Sequence, residues 1–580
     1  MPNFIPGFSA LVLSIALSSM PANATDPCHD LNDLEARLAA CTQAINSGRF
    51  KGHNQAKNYV NRSFAYFSKG DNDSTIADAS EAIRLDPKLA QAYANRSGAY
   101  VYKGDYDRAI ADASEAIRYD SKIAVAYANR AGAYFSKGDY DRTIADASEA
   151  IQRDPKIPAA YANRGGAYFR KGDNDRAIAD LNQAIRLDPK LVAAYHTRGT
   201  YYEGQRDYDR AIADQTQAIS LSPKFSLSYA SRGNAYLGKG DKDRAIADLT
   251  RAIDINPKFA YAYRSRARAY AGNRDYDRAI SDYSQLISLD AKDVSAYRSR
   301  GSLYDDKGDY ERAIADYDQA INLDPKYAGA YNDRGVTYDN KLDYDRAIAD
   351  YSRAIDLNPK YALAYSNRIK DYLRKGDNDR AIADYGALIS LDPKDATNYL
   401  NRGNVYRDKG DNDRAIADYS QAIGIDPKYD WAYSSRGRLN LYMGSVDKAL
   451  ADLNQASALD PKDAYTALWV EIVGQRSHLP SRLPQSVSQL DMTKWPSPIV
   501  GLFLGQMTNA SVLAAADDTK ADTKNNQVCE ANFYTGELLL SKGSKEEATR
   551  LFRLAAKDCP HSFMEWAAAN AELKAMGTTP

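Results

Sequence analysis

The sequence predicts an all-α solenoid of antiparallel helix pairs, and three observations carry that prediction. A 34-residue period runs twelve times from Ala56 to Asp463 without insertion or deletion, and self-similarity at that spacing marks a stack of equivalent supersecondary units. Proline recurs in phase at Pro87, Pro155, Pro189, Pro223, Pro257, Pro325, Pro359, Pro393, Pro427 and Pro461, with Ser121 and Ala291 in the two remaining places. Within each unit the apolar residues fall at helical spacing in two stretches separated by turn residues.

The copy AQAYANRSGAYVYKGDYDRAIADASEAIRYDSKI, which starts at Ala90, gives the elements in order. A first helix runs roughly from Gln91 to Lys103 and stops at Gly104, a residue suited to the left-handed conformation that ends helices. Asp105 and Asp107 open the second helix, where their carboxylates can accept from free amides and meet the positive end of the dipole. An Asp-Pro pair closes that helix in most copies, because the proline ring disfavours helical geometry in the residue before it.

Copies begin at residues 56, 90, 124, 158, 192, 226, 260, 294, 328, 362, 396 and 430. A small residue at position 8, Tyr at 11, Gly at 15, Ala at 20 and 27 and Pro at 32 make the unit resemble the tetratricopeptide repeat. That resemblance implies a right-handed superhelical solenoid whose inner groove is lined by the first helix of each pair and holds a peptide or protein.

The ends carry different signals. Phe8 to Met20 is a short apolar stretch followed by Ala22-Asn23-Ala24, the small-x-small pattern of a signal peptide cleaved near Thr25. An uncleaved anchor is the alternative, although thirteen residues are short for a bilayer. All four cysteines lie outside the array, Cys28 and Cys41 before it and Cys529 and Cys559 after it, which suggests staples for ends that lack a neighbour. KGSKEEATRLFRLAAKDCP aligns as part of a thirteenth repeat over 529–562, with Gly536, Gly543, Ala548, Phe552, Ala555 and Pro560 in phase. On that alignment Cys529 starts one helix and Cys559 ends its antiparallel partner, so the two are neighbours; a free buried thiol pair is the alternative, favoured by a reducing compartment.

Composition excludes several classes. With 76 basic and 77 acidic residues there is no footprint for nucleic acid. Of 44 tyrosines, most sit at repeat positions 4, 11, 17 and 24, so packing explains them better than sugar stacking. Gly233 to Gly240 imitates a phosphate-binding loop, but Gly240 stands where the magnesium-binding Ser or Thr is needed. Pairs such as Asp173 and Asp175 lack the Gly and distal Glu of a calcium loop. The five histidines, His29, His53, His196, His478 and His561, show no ligand spacing, and Cys559 beside His561 makes no nucleophile by proximity alone. No cofactor, metal or catalytic residue is expected, and the chain is read as a non-enzyme.

Arg stands at position 7 in all twelve copies, from Arg62 to Arg436, where tetratricopeptide repeats mostly carry Leu, and Asp stands at position 23, from Asp78 to Asp452. A core-facing charge is costly unless paired, so the two series predict an internal ladder; an anion-binding spiral is the alternative. Positions 2, 5, 9, 12 and 13 of the first helices are expected to line the groove. There, early copies offer Phe64, Phe67, Ala94, Gly98, Val101, Phe135 and Phe169. Later copies offer Arg264, Arg268, Arg298, Lys370, Arg374, Arg407 and Arg438, with Asp305, Asp306 and Asp339 just beyond. Arg264, Arg268 and Arg298 are expected to converge on one patch for an acidic partner, and a solvated charged face is the alternative.

Composition shifts after the array at LPSRLPQSVSQLDMTKWPSP, a loop signal. From Tyr465 to Gly577 the segments TALWVEIVGQR, WPSPIVGLFLGQM, ANFYTGELLLSKGSKEEATRLFRLAA and FMEWAAANAELKAMG resemble in order the C-terminal part of NlpI-type lipoproteins, envelope adaptors that bring cell-wall hydrolases to a protease. Cys28 follows Thr25-Asp26-Pro27, which is no lipidation box, so a lipid anchor is not implied. The resulting organisation is a signal peptide at 1–24, a capping region at 25–55, twelve repeats at 56–463, a connector at 464–528, the thirteenth repeat and a capping helix at 563–580. Its expected role is an exported, periplasmic or secreted scaffold that binds protein or peptide partners, with no nucleic acid and no integral span after cleavage. A structural subunit of an envelope polysaccharide or secretion machine is the alternative, and a hydrolase hidden in 464–580 a further one.

Overall fold

The computed structural model describes residues 33–560 and 563–578. The expected signal peptide, Cys28, His29 and His561 lie outside them. Among the described residues every regular element is helical, and consecutive helices pair as tetratricopeptide hairpins. The chain divides into two compact units, residues 1–307 and 308–580.

The first unit opens with a helix at Leu34–Asn46 and continues through the pairs of copies 1 to 7 to the first helix of copy 8, Val294–Asp306. Copy 2 is typical, with helices at Ala90–Lys103 and Tyr106–Tyr119. Gly104 ends the first at φ 78°, in the left-handed region, and Asp105 caps the second by accepting from the Arg108 amide at 3.1 Å. Asp107 departs from the expected capping role. Its carboxylate reaches the next copy and takes Lys137 Nζ at 2.5 Å, one rung of a surface series that includes Lys239 with Asp209. Arg206, Arg274 and Leu342 occupy the Gly104 position in their copies and hold positive φ of 60°, 58° and 62°, conformations strained for side-chain-bearing residues.

The position 7 arginines form the ladder, but with a contact the sequence reading did not include. Arg232 grips Asp248 of its own second helix through Nε and Nη2, at 2.7 and 2.8 Å, and its Nη1 reaches back to Thr216 of the preceding copy at 3.1 Å. Where all three bonds form, the arginine ties its hairpin together and ties that hairpin to its neighbour. Ser80 plays the backward part for Arg96, Asn182 for Arg198 and Asp318 for Arg334. Copy 1 has no predecessor, and Thr42 of the N-terminal helix serves Arg62 at 3.2 Å. The fork geometry matches a planar guanidinium to a carboxylate. Pairing holds Arg62 more firmly charged, while burial pushes the Asp78 carboxyl up despite it.

The second unit holds the second helix of copy 8, Tyr310–Leu323, the pairs of copies 9 to 12, and the C-terminal helices. Tyr351 and Tyr419 are fully buried against Gly335 and Gly403, where an added Cβ would meet each ring at 2.7 Å; only glycine admits a tyrosine this close. Beyond copy 12 the helix Ala464–Arg476 stands in phase as a further first helix, with His478 at φ 53° in the glycine position. Its second helix is replaced by short pieces at Leu483–Ser486, Ser497–Phe503 and Asn509–Ala515. From these, Arg482 reaches Asn454 at 3.4 Å, the side chain that would otherwise serve the next ladder arginine.

The last hairpin joins Ala521–Ser541 to Lys545–Asp558. Its first helix begins eight residues ahead of Cys529, so this cysteine lies inside the helix and not at its start as expected. Cys559 caps the second helix, and the two are disulfide-linked with Cα atoms 5.1 Å apart. Trp469, Phe533, Tyr534 and Phe552 fill the surrounding core.

Candidate functional site

In copies 1 to 4 much of the small apolar lining expected on the first-helix face is buried, while Phe64 and Phe169 are only partly so and Tyr102 stands exposed. Val60, Ala94, Val101 and Phe135 are covered, because small residues let successive first helices approach closely. Asn95, Asn129 and Asn163 lock that approach, donating to the carbonyls of Val60, Ala94 and Ala128 at 3.3, 3.0 and 3.3 Å.

The face turns polar in copies 5 to 7. Glu203, partly buried, stands where copies 1 to 4 carry Phe or Val, and burial pushes its carboxyl up to about 7. Asn234 Nδ2 donates to the Tyr261 hydroxyl, and Tyr261 lies within electrostatic reach of both Glu203 and Arg268. Arg268 is exposed, with no ion pair among the described residues. Arg264 does not join it as a receptor for an acidic partner, because it is spent inside the protein. Its Nη2 meets Asp293 at 2.5 Å and its Nη1 meets Ser295 at 2.6 Å, tying copy 7 to the cap of the following helix. Burial works to raise the Asp293 carboxyl, but Ser295, the Arg264 charge and the Ala296 amide outweigh it and hold it low. Arg298 is partly buried.

In the second unit the same face carries Lys370, exposed and without an ion pair among the described residues, between Leu363 and Leu373, which are also exposed. Arg374 is paired with Asp339 and with Asp371, the latter at 3.2 Å. Asp371 is fully buried at position 10, where other copies have apolar residues or Thr. Burial and then the neighbouring Asp339 push its carboxyl up to about 6, and its Oδ2 has no hydrogen-bond partner. Sequence reasoning passed over Asp371 and Glu203, although each is visible as a break in its positional series.

Arg407 and Arg438 are covered by the chain's own C-terminal helices. Arg407 binds Asp408 at 2.7 Å and lies 3.4 Å from the Met564 sulfur. Arg438 donates to the Ser434 carbonyl at 3.2 Å; burial lowers its pKa, and the charge of Glu565 opposes that. Around them Tyr534 donates to Glu565, while Tyr465 and Trp495 both donate to Glu530, at 2.9, 2.9 and 2.7 Å. Arg476 bridges Glu537 and Glu572, each at 2.6 Å. No cluster of potential metal ligands occurs among the described residues.

Family models describe this repeat geometry. A TPR repeat model matches residues 165–205, 301–341, 370–407 and 403–444, and tetratricopeptide repeat models match 95–156, 196–260, 230–297 and 328–361. Solved structures of similar fold include the APC/C hetero-tetramer Cut9-Hcn1, 15% identical over 70% of this chain and 93% of that one, with a TM-score of 0.33. YrrB, a TPR protein with an unusual peptide-binding site, is 21% identical over 32% of this chain and 95% of its own, with a TM-score of 0.29. A tetratricopeptide repeat protein from Parabacteroides merdae is 22% identical over 43% and 98%, at 0.31. The chain is a tetratricopeptide repeat protein. Its architecture is that of a protein–protein interaction scaffold.

Proposed function

We propose that this protein is an exported bacterial adaptor that holds protein partners on the first-helix faces of its repeats, without catalysis of its own. One contrast carries the reading. Most charged side chains of the array are spent on ladders and caps, whereas Arg268 and Lys370 stand exposed on first helices without an ion pair among the described residues. Lys370, flanked by exposed Leu363 and Leu373, offers the mixture of apolar contact and charge that a protein partner uses.

Export is supported by the Phe8 to Ala24 segment and by the Cys529–Cys559 link, since such bonds persist in oxidising compartments. No helix among the described residues is long and apolar enough to cross a membrane. Recruitment of cell-wall hydrolases or an envelope protease is the partner class that the C-terminal resemblance suggests.

Affinity capture from a bacterial envelope extract, with the mature chain as bait, tests this. Arg268→Glu combined with Lys370→Glu should lose the captured partners while helical content stays unchanged. Equal recovery by wild type and variant would place binding elsewhere.

A further inference from the structure

We infer that the first-helix face of copy 10 is the docking site for a helix of a protein partner that carries a carboxylate between two apolar side chains. The inference rests on the partner-binding reading above and names the chemistry of the partner.

Helix geometry sets the site. Leu363, Lys370 and Leu373 all belong to the helix Ala362–Arg374, and their spacing places them on one face, about two turns and then about one turn apart. All three are exposed, the leucines by 53% and 37%. No other copy exposes positions 2, 9 and 12 together. Position 12 is at least partly buried in every other copy, and Leu373 alone stands open there.

The helix beneath this stripe is fixed to its neighbour, since Asn367 donates to Asn332 of copy 9 at 3.2 Å. Of the two cations on the face, Arg374 is held by Asp339 and Asp371. Lys370 has no ion pair among the described residues, so the stripe presents one available positive charge between two leucines.

The chain itself shows what this face takes one copy further on. Its own helix Met564–Ala575 is seated against copies 11 and 12. The Met564 sulfur lies 3.4 Å from Arg407, at position 12 of copy 11, the place that Leu373 fills in copy 10. The charge of Glu565 acts on Arg438, at position 9 of copy 12, the place that Lys370 fills. A helix that brings an apolar side chain and a carboxylate to positions 12 and 9 is therefore the kind of occupant already in place, and copy 10 continues that interface with the same two positions uncovered. Leu363 supplies a second apolar anchor, and the lysine between the leucines selects for an acidic residue in register with them.

The test uses the full mature chain and fluorescein-labelled stapled helices of Ala and Gln that carry Leu, Glu and Leu on one face at the matching spacing. Counterparts replace Glu by Gln, replace both Leu by Ala, or omit the staple and break the helix with proline. The parent probe should bind about tenfold more tightly than the Gln counterpart, and more tightly than the proline form. Lys370→Met should abolish the preference for Glu over Gln and keep the preference for Leu over Ala. Leu363→Ala combined with Leu373→Ala should do the reverse. All three positions are exposed, so an unchanged melting temperature verifies that each variant folds. Binding without a Glu preference, a preference that survives Lys370→Met, equal binding of the proline form, or no binding at all would overturn this inference. The capture experiment above uses none of these probes, so the broader reading stands or falls separately.

Discussion

The Arg402 guanidinium lies 3.6 Å from the point where a Cβ on Gly386 would sit, and across that gap the ladder lacks a contact it makes elsewhere. Arg402 keeps both bonds to Asp418, at 2.8 Å each. Arg368 and Arg436, one copy to either side, add a serine from the preceding second helix, Ser352 at 2.7 Å and Ser420 at 2.9 Å. Position 25 is glycine in copy 10, so the rung joining copies 10 and 11 is short by one bond.

Gly386→Ser should restore it. A hydrogen bond to a charged donor contributes about 1 kcal/mol or more, and removing a glycine from a helix interior adds about 0.5 kcal/mol. Amide exchange in the second helix of copy 10 and the first of copy 11 should slow accordingly. Unchanged exchange would mean that the added hydroxyl stays with its own helix carbonyl.

Arg232→Ala tests the ladder from the other direction. The Arg232 and Asp248 side chains are only 18% and 11% exposed, so truncation strands a carboxylate and should cost about 3 kcal/mol. Because stability in a solenoid is summed from neighbouring units, the loss should appear as early local unfolding of copies 5 and 6, whose Thr216 also loses its partner. Adding Asp248→Ala should recover part of the loss, and no recovery would show that the arginine's stem, not its charge, held the helices.

The period, both helices of each unit, the ladder's two charged series and the array's phase were legible in the sequence because each is repeated twelve times. What was not legible depended on single departures. Thr216 looks like an ordinary surface residue until the fold brings it within reach of Arg232. Arg264 looked like a receptor because its partner, Asp293, belongs to the next copy's cap. The burial of Arg407 and Arg438 follows from how the replaced second helix after Ala464–Arg476 lets the C-terminal helices return, which no local pattern encodes.

Reduction should weaken the C-terminal hairpin. The Cys529–Cys559 link spans 30 residues, and on a chain-entropy estimate opening such a loop costs about 3 to 4 kcal/mol. Mass mapping without reductant should find the pair joined in protein taken from the envelope. Proteolysis after reduction should begin between Ser541 and Lys545, and resistance equal to the oxidised form would show that the Trp469 core alone holds the hairpin.

Acid should stabilise this same region down to mildly acidic pH. Burial, followed by the Glu565 charge, pushes the Glu530 carboxyl up to about 7, and burial also raises Glu537. A carboxyl whose folded pKa exceeds its unfolded one contributes stability that is full below the unfolded value, near 4.5, and is lost as pH rises through about 7. Amide protection in Ala521–Ser541 should therefore be higher at pH 6 than at pH 8, and Glu530→Gln should flatten the difference. A rise in protection from pH 6 to pH 8 would reverse the assignment.

Asp371 gives the sharpest separation of stability from use. It is fully buried, with one carboxylate oxygen unpartnered and Arg374 shared with Asp339. Asp371→Val fills the same core position, as Val405 does one copy later, and leaves Arg374 to Asp339 alone. Replacing a buried charge by a well-packed apolar residue is worth about 1 to 3 kcal/mol. Burial and the Asp339 charge push the Asp371 carboxyl from an ordinary 3.8 up to about 6, so its burden on the fold grows as pH rises toward that value. The gain from Asp371→Val should therefore be larger at pH 8 than at pH 5, read as amide protection of Ala362–Arg374. If the variant is more stable but captures less partner, Asp371 serves binding by orienting Arg374 on the first-helix face. If it is less stable at both pH values, the Asp371–Arg374 contact holds copy 10 together and the apolar replacement does not compensate for it.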